Sequence, residues 1–201
     1  QFLEFSGLIL KLKIMKLSFV LTTLLLSFFF NTFSQNTNQE VIIENQQPFL
    51  LGEITIGGLS TNSYNTWFEP NFENYESDQI QIDLFKNQLA SYKILIFMGT
   101  WCGDSKREVP RFLKILKSAD YLMENLKIVA LDHRKESYKK SPQGEEWGLN
   151  IRRVPTFIFY KNGREVNRII ETPITTLEDD ILKIISEEEY IPNYSASLHF
   201  D

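Results

Sequence analysis

The sequence predicts an α/β fold in which helices flank a central mixed β-sheet. Two nearly continuous apolar runs, KILIFM at 93–98 and LKIVALD at 126–132, have the composition of strands that are buried on both faces of a sheet. The segment between these runs spaces its apolar residues as a helix does. A β-hairpin signal and one more helical pattern follow at 156–185, so we expect a C-terminal β-hairpin and helix to complete the sheet.

The elements before the first buried run are shorter. Residues 35–48 are polar and rich in Asn and Gln, which favours a loose leader. FLLGEITI at 49–56 mixes apolar and β-branched residues and predicts a short strand. Aromatic residues recur at spacings of three and four within 61–76, which predicts an amphipathic helix weakened by Pro70. This aromatic stripe favours core packing over the wall of a ligand groove.

The next two helices follow from their caps and their apolar spacing. Asp78 is a good N-cap for the first of them. We expect the buried face of that helix to comprise Ile80, Leu84, Phe85 and Leu89. A second helix is predicted over 102–117, with Pro110 as a kink. Residues 133–146 are polar and charged, so they predict a loop, with a short helix near 145–147.

The C-terminal part carries the clearest local signals. TFIFYK at 156–161 and REVNRII at 164–170 are joined by Asn162-Gly163, the residue pair that a type I′ hairpin turn requires. The last helix opens with a capping box of Thr175 or Thr176 with Glu178 or Asp179. The predicted order is therefore strand, helix, strand, helix, hairpin and helix.

Composition and charge exclude several classes of protein. With 201 residues, of which 43% are hydrophobic and 23% charged, the chain has an ordinary globular composition. Its formal net charge of −5 comes without a basic stripe, so we expect no nucleic-acid partner. Cys102 is the only cysteine, which excludes an internal disulfide and a cysteine-based zinc site. His133 and His199 lack metal-ligand spacing, and we expect no metal, no cofactor and a monomer.

The N-terminal segment has the layout of a secretory signal. A lysine precedes the apolar run LSFVLTTLLLSFFF at 17–30, and a polar exit with small residues at Thr32 and Ser34 follows it. We therefore expect cleavage after Ser34 and a mature chain that begins at Gln35, exported to the periplasm or outside the cell. The run is short for a membrane span, which needs about 20 apolar residues. An anchor through residues 17–34 is the alternative.

These patterns divide the chain into four parts. Residues 1–34 comprise upstream residues, before a natural start at Met15, and the signal peptide. Residues 35–76 form an N-terminal leader and extension. The main domain is expected at 77–190, followed by a C-terminal tail at 191–201.

Cys102 occupies a position with chemical consequences. The segment FMGTWCGDS at 97–105 leaves a buried strand and enters a helix at the cysteine. Unpaired N–H groups and the positive end of the helix dipole favour the thiolate, which is the reactive form. Lys106 and Arg107 add positive charge one turn on, whereas Asp104 opposes them. The sequence thus predicts a reactive thiol rather than a buried, inert cysteine.

Two motifs resemble the thioredoxin family. Trp101-Cys102-Gly103, with Pro110 eight residues after the cysteine, is similar to the active-site helix of thioredoxins. Val154-Pro155-Thr156, ahead of an apolar strand, is similar to their cis-proline loop. The resemblance covers about residues 78–188 and implies a thioredoxin-like fold. It also implies a cis proline that faces the cysteine, with backbone groups of the preceding residue pairing with an extended substrate strand.

The resemblance also implies roles for individual residues. Cys102 is the expected nucleophile, and Ser105 is either a hydrogen-bond partner of its thiolate or an ordinary residue of the first helical turn. The residues expected to contact substrate are Trp101, Gly103, Asp104, Val154 and Pro155. Thioredoxins carry a second cysteine where this chain has Ser105 and a buried acid where it has Ile96. Because both are missing, a two-cysteine reductase cycle is impossible within one chain.

Three functions are compatible with these motifs. The first is a monothiol thiol–disulfide oxidoreductase or isomerase, in which Cys102 attacks a protein or peptide disulfide and an external thiol donor or a second substrate thiol releases the product. The second is a redox-inactive module of thioredoxin fold that binds proteins. The third is a reductase in which an external cysteine replaces Ser105. A peroxidase is disfavoured, because Gly99 and Leu95 stand where peroxiredoxins place Thr and Pro.

Overall fold

The computed structural model describes residues 37–195, whose strands form one mixed sheet. The strands are β1 (Gln39–Val41), β2 (Phe49–Ile54), β3 (Lys93–Met98), β4 (Leu126–Ala130), β5 (Thr156–Lys161) and β6 (Arg164–Ile170). The helices are α1 (Ile56–Leu59), α2 (Asn62–Glu73), α3 (Gln79–Leu89), α4 (Gly103–Ser118) and α5 (Leu177–Ile185). Short 3-10 helices lie at Met123–Asn125 and Lys135–Ser137. The strand order is β1-β2-β4-β3-β5-β6.

The strand directions bring separate chain segments to one edge of the sheet. β3 and β4 are parallel, with Ile96 opposite Ile128, and β5 runs antiparallel to β3. The ends of β3 and β4 and the start of β5 therefore share an edge. Cys102 follows β3 and Pro155 immediately precedes β5, so the topology places the two motifs noted in the sequence side by side.

Apolar side chains cover both faces of β3, as its sequence predicts. Ile94 and Ile96 belong to the large cluster beneath the helices, whereas Phe97 belongs to a smaller cluster on the opposite face. In the large cluster, Phe112 of α4 stacks on Phe157 of β5 with ring centroids 4.4 Å apart. This packing holds α4, and with it the cysteine that precedes it, against the centre of the sheet.

The aromatic helix predicted within 61–76 is confirmed as α2, with Pro70 inside it. Tyr64 and Phe68 are buried in the large cluster, so core packing describes these two rings correctly. Trp67 is only partly buried and packs against the cluster from outside. The side of α2 that carries Trp67 is therefore only partly covered by the core.

The buried face predicted for α3 is wrong in part. Asp78 caps the helix as expected, accepting hydrogen bonds from the N–H groups of residues 80 and 81. Phe85 and Leu89 are buried, but Ile80 is 79% exposed and Leu84 is 61% exposed. At about 100° of rotation per residue, positions 82, 85 and 89 share one side of the helix and positions 80 and 84 lie on the other. Ile82 therefore takes the inward place.

Two predictions for irregular segments are also wrong. The leader expected over 35–48 contains β1, which pairs with β2 through a register that sets Glu40 opposite Leu50. The short helix expected near 145–147 is absent from the described structure, where these residues form turns. Gly144 and Gly148 flank them with φ of 72° and 74°, and this left-handed backbone does not continue a right-handed helix.

The C-terminal signals are confirmed. Asn162 and Gly163 adopt φ of 53° and 76°, the positive values that a type I′ turn needs at both central residues. Thr176, one of the two expected openings of the last helix, accepts a hydrogen bond from the N–H of Asp179 and caps α5. The hairpin and α5 thus complete the sheet as the local sequence indicates.

The predicted signal segment at 1–34 and the end of the tail, residues 196–201, lie outside the described residues. The division of the chain at 35–76, 77–190 and 191–201 stays a prediction. Within residues 37–195, no helix is long and apolar enough to cross a membrane.

Candidate functional site

Cys102 lies at the start of α4 as its N-cap residue, and its side chain is only partly buried. The thiol donates a hydrogen bond to the carbonyl oxygen of Val154, with 3.3 Å between sulfur and oxygen. The Val154–Pro155 peptide bond is cis, which confirms the prediction from the sequence. The structure therefore brings the two motifs into direct contact.

Ser105 lies one turn into α4 and is fully buried. Its hydroxyl oxygen accepts a hydrogen bond of 3.2 Å from the N–H of Gly99, the residue just after β3. This contact ties the first turn of α4 to the end of the strand. The Ser105 hydroxyl thus forms its hydrogen bond with a backbone group rather than with the Cys102 sulfur. Ile96, which stands where thioredoxins carry a buried acid, is fully enclosed in the core.

Trp101 is held in place beside the cysteine by contacts on the β4 side. Its indole Nε1 donates a 2.9 Å hydrogen bond to the carbonyl oxygen of Leu131. Its ring stacks on His133 with 4.8 Å between centroids and lies 5.6 Å from the ring of Tyr138. Gly99 permits this arrangement, because a Cβ there would lie 2.6 Å from the Trp101 ring.

The charged side chains at the start of α4 differ in whether they form ion pairs. Asp104 accepts a 2.7 Å hydrogen bond from Arg107, and Arg107 also contacts Glu108 at 2.6 Å. The positive charge of Arg107 is therefore balanced locally. Lys106 forms no ion pair with any residue in the described range 37–195, and its ammonium lies 5.9 Å from the centroid of the Trp67 ring. Gly103 is exposed and has open space at its Cβ position.

The structure adds a basic group that sequence patterns did not reveal. Lys139, in the loop after β4, donates a hydrogen bond to the carbonyl oxygen of Arg152, two residues before Val154. Burial lowers the pKa of the Lys139 ammonium, the Arg153 guanidinium lowers it further, and negative charge at Cys102 opposes both. The Lys139 ammonium thus lies against the segment that leads to Pro155. No periodicity marks a loop residue, so only the fold could identify it.

The far side of the proline loop carries a second charged contact. Arg153 binds Glu171 at 3.2 Å, and its guanidinium lies 4.2 Å from the centroid of the Tyr194 ring. These contacts join the segment that leads to Pro155 with the end of β6 and the chain near residue 194. Within residues 37–195, no group of three or more His, Cys, Asp or Glu side chains is placed to hold a metal ion.

Comparisons with known proteins relate the chain to one family. A family model described as Thioredoxin matches residues 77–186. Putative thioredoxin-5 of Dictyostelium discoideum is 30% identical over 96 residues, 48% of this chain and 84% of that protein. A thioredoxin of Malassezia sympodialis is 28% identical over 90 residues, 44% of this chain and 78% of that one. Among solved structures, a Pseudomonas aeruginosa protein of unknown function has a TM-score of 0.44 at 12% identity, covering 68% of this chain and 89% of its own.

Together, the family match and the mixed sheet with its flanking helices confirm the fold class predicted from the sequence.

Proposed function

Because the chain belongs to the thioredoxin family, whose members act on protein disulfides, we propose that it is a thiol–disulfide oxidoreductase or isomerase that works through Cys102 alone. One observation carries the proposal. The only thiol of the chain is partly accessible at the start of α4 and lies 3.3 Å from the carbonyl oxygen of Val154. A nucleophile and a backbone edge that can pair with an extended substrate are thus adjacent.

The first step is attack of the Cys102 thiolate on one sulfur of a substrate disulfide. A new S–S bond joins Cys102 to the substrate, and the other substrate sulfur leaves as a thiolate. The N–H groups that begin α4 stabilise negative charge on the attacking sulfur. The open space at Gly103 leaves room for the substrate backbone above the first turn of the helix.

The second step needs a thiol from outside the chain. Position 105 holds a buried serine and position 96 a buried isoleucine, so neither a resolving thiol nor an adjacent acid is available. Attack by a second substrate thiolate on the mixed disulfide rearranges the substrate and frees Cys102. Attack by external thiols reduces the substrate instead, with two thiols oxidised to one disulfide for each substrate bond broken.

A redox-inactive binding module is the second candidate, and the environment of Ser105 favours it. The serine is committed to the Gly99 N–H, so the helix start is complete without a second thiol. In such a module the groove beside Val154 would bind extended peptides and Cys102 would have no catalytic role. The dependence of Cys102 alkylation on pH separates the two candidates, because a nucleophile reacts well below the pH at which an ordinary thiol ionises, about 8.5.

Mixed-disulfide formation with a peptide disulfide tests the proposed function directly. The purified protein is mixed with the oxidised peptide without added thiol and analysed by intact mass. We expect a long-lived adduct of one peptide chain on the wild type and none on Cys102→Ser. An unmodified wild-type protein, folded by circular dichroism, would leave the binding module as the better account.

We also propose that the protein acts outside the cytoplasm, which the signal-like layout of residues 16–34 supports. The expected mature N-terminus is Gln35. Intact mass of the exported protein checks this expectation. A protein found in membranes with residues 17–34 still attached would instead support the anchored alternative.

A further inference from the structure

A cavity of about 560 Å³ opens beside the start of α4, and its lining includes Trp101 and Lys106, the residues one before and four after Cys102. We call it the flank cavity. Six of the residues that line it are Pro48, Tyr64, Trp67, Trp101, Lys106 and His133. Its volume is within the range of about 300–1,000 Å³ that small-molecule sites occupy.

The position of the flank cavity follows from the order of the strands. β4 and β5 lie on opposite sides of β3. Val154 leads into β5, whereas the Trp101 ring is fixed against Leu131 and His133 at the end of β4. Cys102 therefore has the backbone edge on its β5 side and the flank cavity on its β4 side.

Much of the wall comes from outside the region that matches the family model. Residues 46–48 and α2 contribute Pro48, Tyr64 and Trp67, and all of them precede residue 77. The loop between β3 and α4, α4 itself and the segment after β4 supply the rest, through Thr100, Trp101, Lys106 and His133. The flank cavity therefore lies between the segment that matches the family model and the residues that precede it.

The charge of the flank cavity selects the class of ligand. No Asp or Glu lines it, although the chain carries a formal net charge of −5. Lys106 is its charged residue and has no ion-pair partner within residues 37–195. Three aromatic rings, Tyr64, Trp67 and Trp101, line the walls and suit the apolar part of a small molecule. The complementary ligand is a small molecule that carries a carboxylate.

The chemistry of Cys102 assigns this ligand a role. Lys106 follows Cys102 by four residues, so the two side chains share a face of α4 about one turn apart. Thiolate attack on a disulfide proceeds in line with the bond that breaks. When the substrate sulfur lies on the Val154 side, a thiol that attacks Cys102 comes from the opposite side, and the lining residues Trp101 and His133 put the flank cavity on the β4 side.

We propose that the flank cavity binds the external reductant that regenerates Cys102, and that this reductant is a low-molecular-weight thiol with a carboxylate. The inference rests on the proposed function. The carboxylate binds Lys106 and directs the sulfur toward Cys102. The bound thiolate forms a new S–S bond with Cys102 as the substrate thiolate leaves. A second thiolate then attacks the sulfur of the small molecule, releasing the Cys102 thiolate and a small-molecule disulfide.

The test measures how fast small thiols discharge a defined mixed disulfide. Cys102 is first converted to its 2-pyridyl disulfide, and release of 2-thiopyridone is followed after adding N-acetylcysteine or N-acetylcysteinamide, which differ in the carboxylate. Each rate is divided by the rate with a small 2-pyridyl disulfide in solution, which removes the intrinsic difference between the thiols. We expect the wild type to favour the carboxylate, and Lys106→Ala to reduce that preference about two- to fivefold, as loss of one partly exposed ion pair implies.

Three variants make the result specific. Lys93→Ala removes the same charge at the opposite end of β3 and should leave the preference unchanged. Lys106→Arg should retain most of it. Ser63→Glu places a carboxylate at an exposed position of the cavity lining and should lower it. Equal preferences in the wild type and a folded Lys106→Ala would overturn the inference.

A binding measurement separates this inference from the proposed function. Trp67 and Trp101 line the flank cavity, so a ligand should change the tryptophan fluorescence of Cys102→Ser, which has no thiol to react. S-methyl-N-acetylcysteine is the probe. Binding that Lys106→Ala removes supports the cavity even if peptide disulfides fail to react with Cys102. Peptide adducts on Cys102 without carboxylate preference or probe binding would retain the proposed function and reject the reductant site.

Discussion

The two sides of Cys102 are built in different ways. On the β5 side, the Val154 carbonyl accepts a hydrogen bond from the thiol, and the residues concerned lie within the segment that matches the thioredoxin family. On the β4 side, Trp101 and Lys106 border a cavity whose outer wall comes from residues 46–67, ahead of that segment. The nucleophile thus has one side built within the segment that matches its family and one side built largely from residues ahead of that segment.

The difference between the two sides suggests how the protein works without a second thiol in α4. A second cysteine would resolve a mixed disulfide from within α4. Here that position is occupied by Ser105, which instead joins the helix to the end of β3. In our proposal, an external thiol on the β4 side resolves the mixed disulfide in place of a second cysteine in α4. Lys106 lies on that side and has no ion-pair partner in residues 37–195.

The largest expected effect comes from restoring the internal thiol. Positions 102 and 105 lie about one helical turn apart, within reach of a disulfide. Ser105→Cys should form an internal disulfide on oxidation, seen as a loss of two free thiols. It should also reduce a model disulfide with a dithiol donor, so that resolution no longer depends on the β4 side.

The gain should be partial, because Ile96 supplies no acid to accept the resolving proton. Ile96→Asp added to Ser105→Cys should raise the activity further. Cys102→Ser, alone or combined with Ser105→Cys, should be inactive. Failure of Ser105→Cys to form the internal bond under oxidant would place Cys102 outside an exposed helix start and would reject the catalytic interpretation.

The next prediction concerns a substitution in α2 that should impair the β4 side of Cys102 and leave the β5 side intact. Phe68 is 6% exposed and stacks on Phe72 with centroids 5.7 Å apart. Phe68→Ala should lower the free energy of unfolding by about 3 kcal/mol through lost burial and a residual cavity. It should also reduce the preference for N-acetylcysteine while Cys102 still forms peptide adducts.

Thr66→Ala, at an exposed position of the same helix, is the matched control and should change stability by less than about 0.5 kcal/mol. Urea unfolding followed by circular dichroism measures both variants. Equal loss of peptide adducts and of carboxylate preference in Phe68→Ala would show that the two sides are not separable.

A pair of glycine substitutions sharpens the comparison at the cysteine itself. A Cβ at Gly99 would lie 2.6 Å from the Trp101 ring, whereas one at Gly103 meets nothing within 4 Å. Gly99→Ala should cost about 1–3 kcal/mol and displace Trp101, with a change in its fluorescence. Gly103→Ala, in the first turn of α4, should be neutral or stabilise by up to about 1 kcal/mol. Equal effects of the two substitutions would contradict the close packing of Trp101 on Gly99.

The smallest effect concerns a buried carboxylate on the β4 side. Burial raises the pKa of Asp132, but hydrogen bonds from Arg134 outweigh it and hold that pKa below its ordinary value. The stabilisation by Asp132 is therefore present above about pH 4 and is lost as pH falls through the lower pKa of the folded state. Asp132→Asn should cost about 1 kcal/mol at neutral pH and progressively less in acid. A cost independent of pH would assign the effect to packing rather than to charge.

The sequence predicts best where the signal is local. Asn162-Gly163 identified the hairpin because few residue pairs adopt two positive φ angles, and Asp78 identified the start of α3 because its side chain caps free N–H groups. The buried side of α3 was predicted less well. Its apolar residues occupy both sides of the helix, and only contact with the rest of the core selects Ile82 over Ile80.

The same distinction holds at the site. Residue identity and short-range order alone indicated that Cys102 is the only thiol and that it begins a helix, and the resemblance to thioredoxins added that Ser105 and Ile96 stand where those proteins carry a thiol and an acid. The folded structure was needed to show that Lys139 bonds the Arg152 carbonyl, two residues before Val154, and that residues 46–67 enclose a cavity with Lys106. Those contacts join segments distant along the chain, and they exist because the strand order brings the ends of β3 and β4 and the start of β5 to one edge of the sheet.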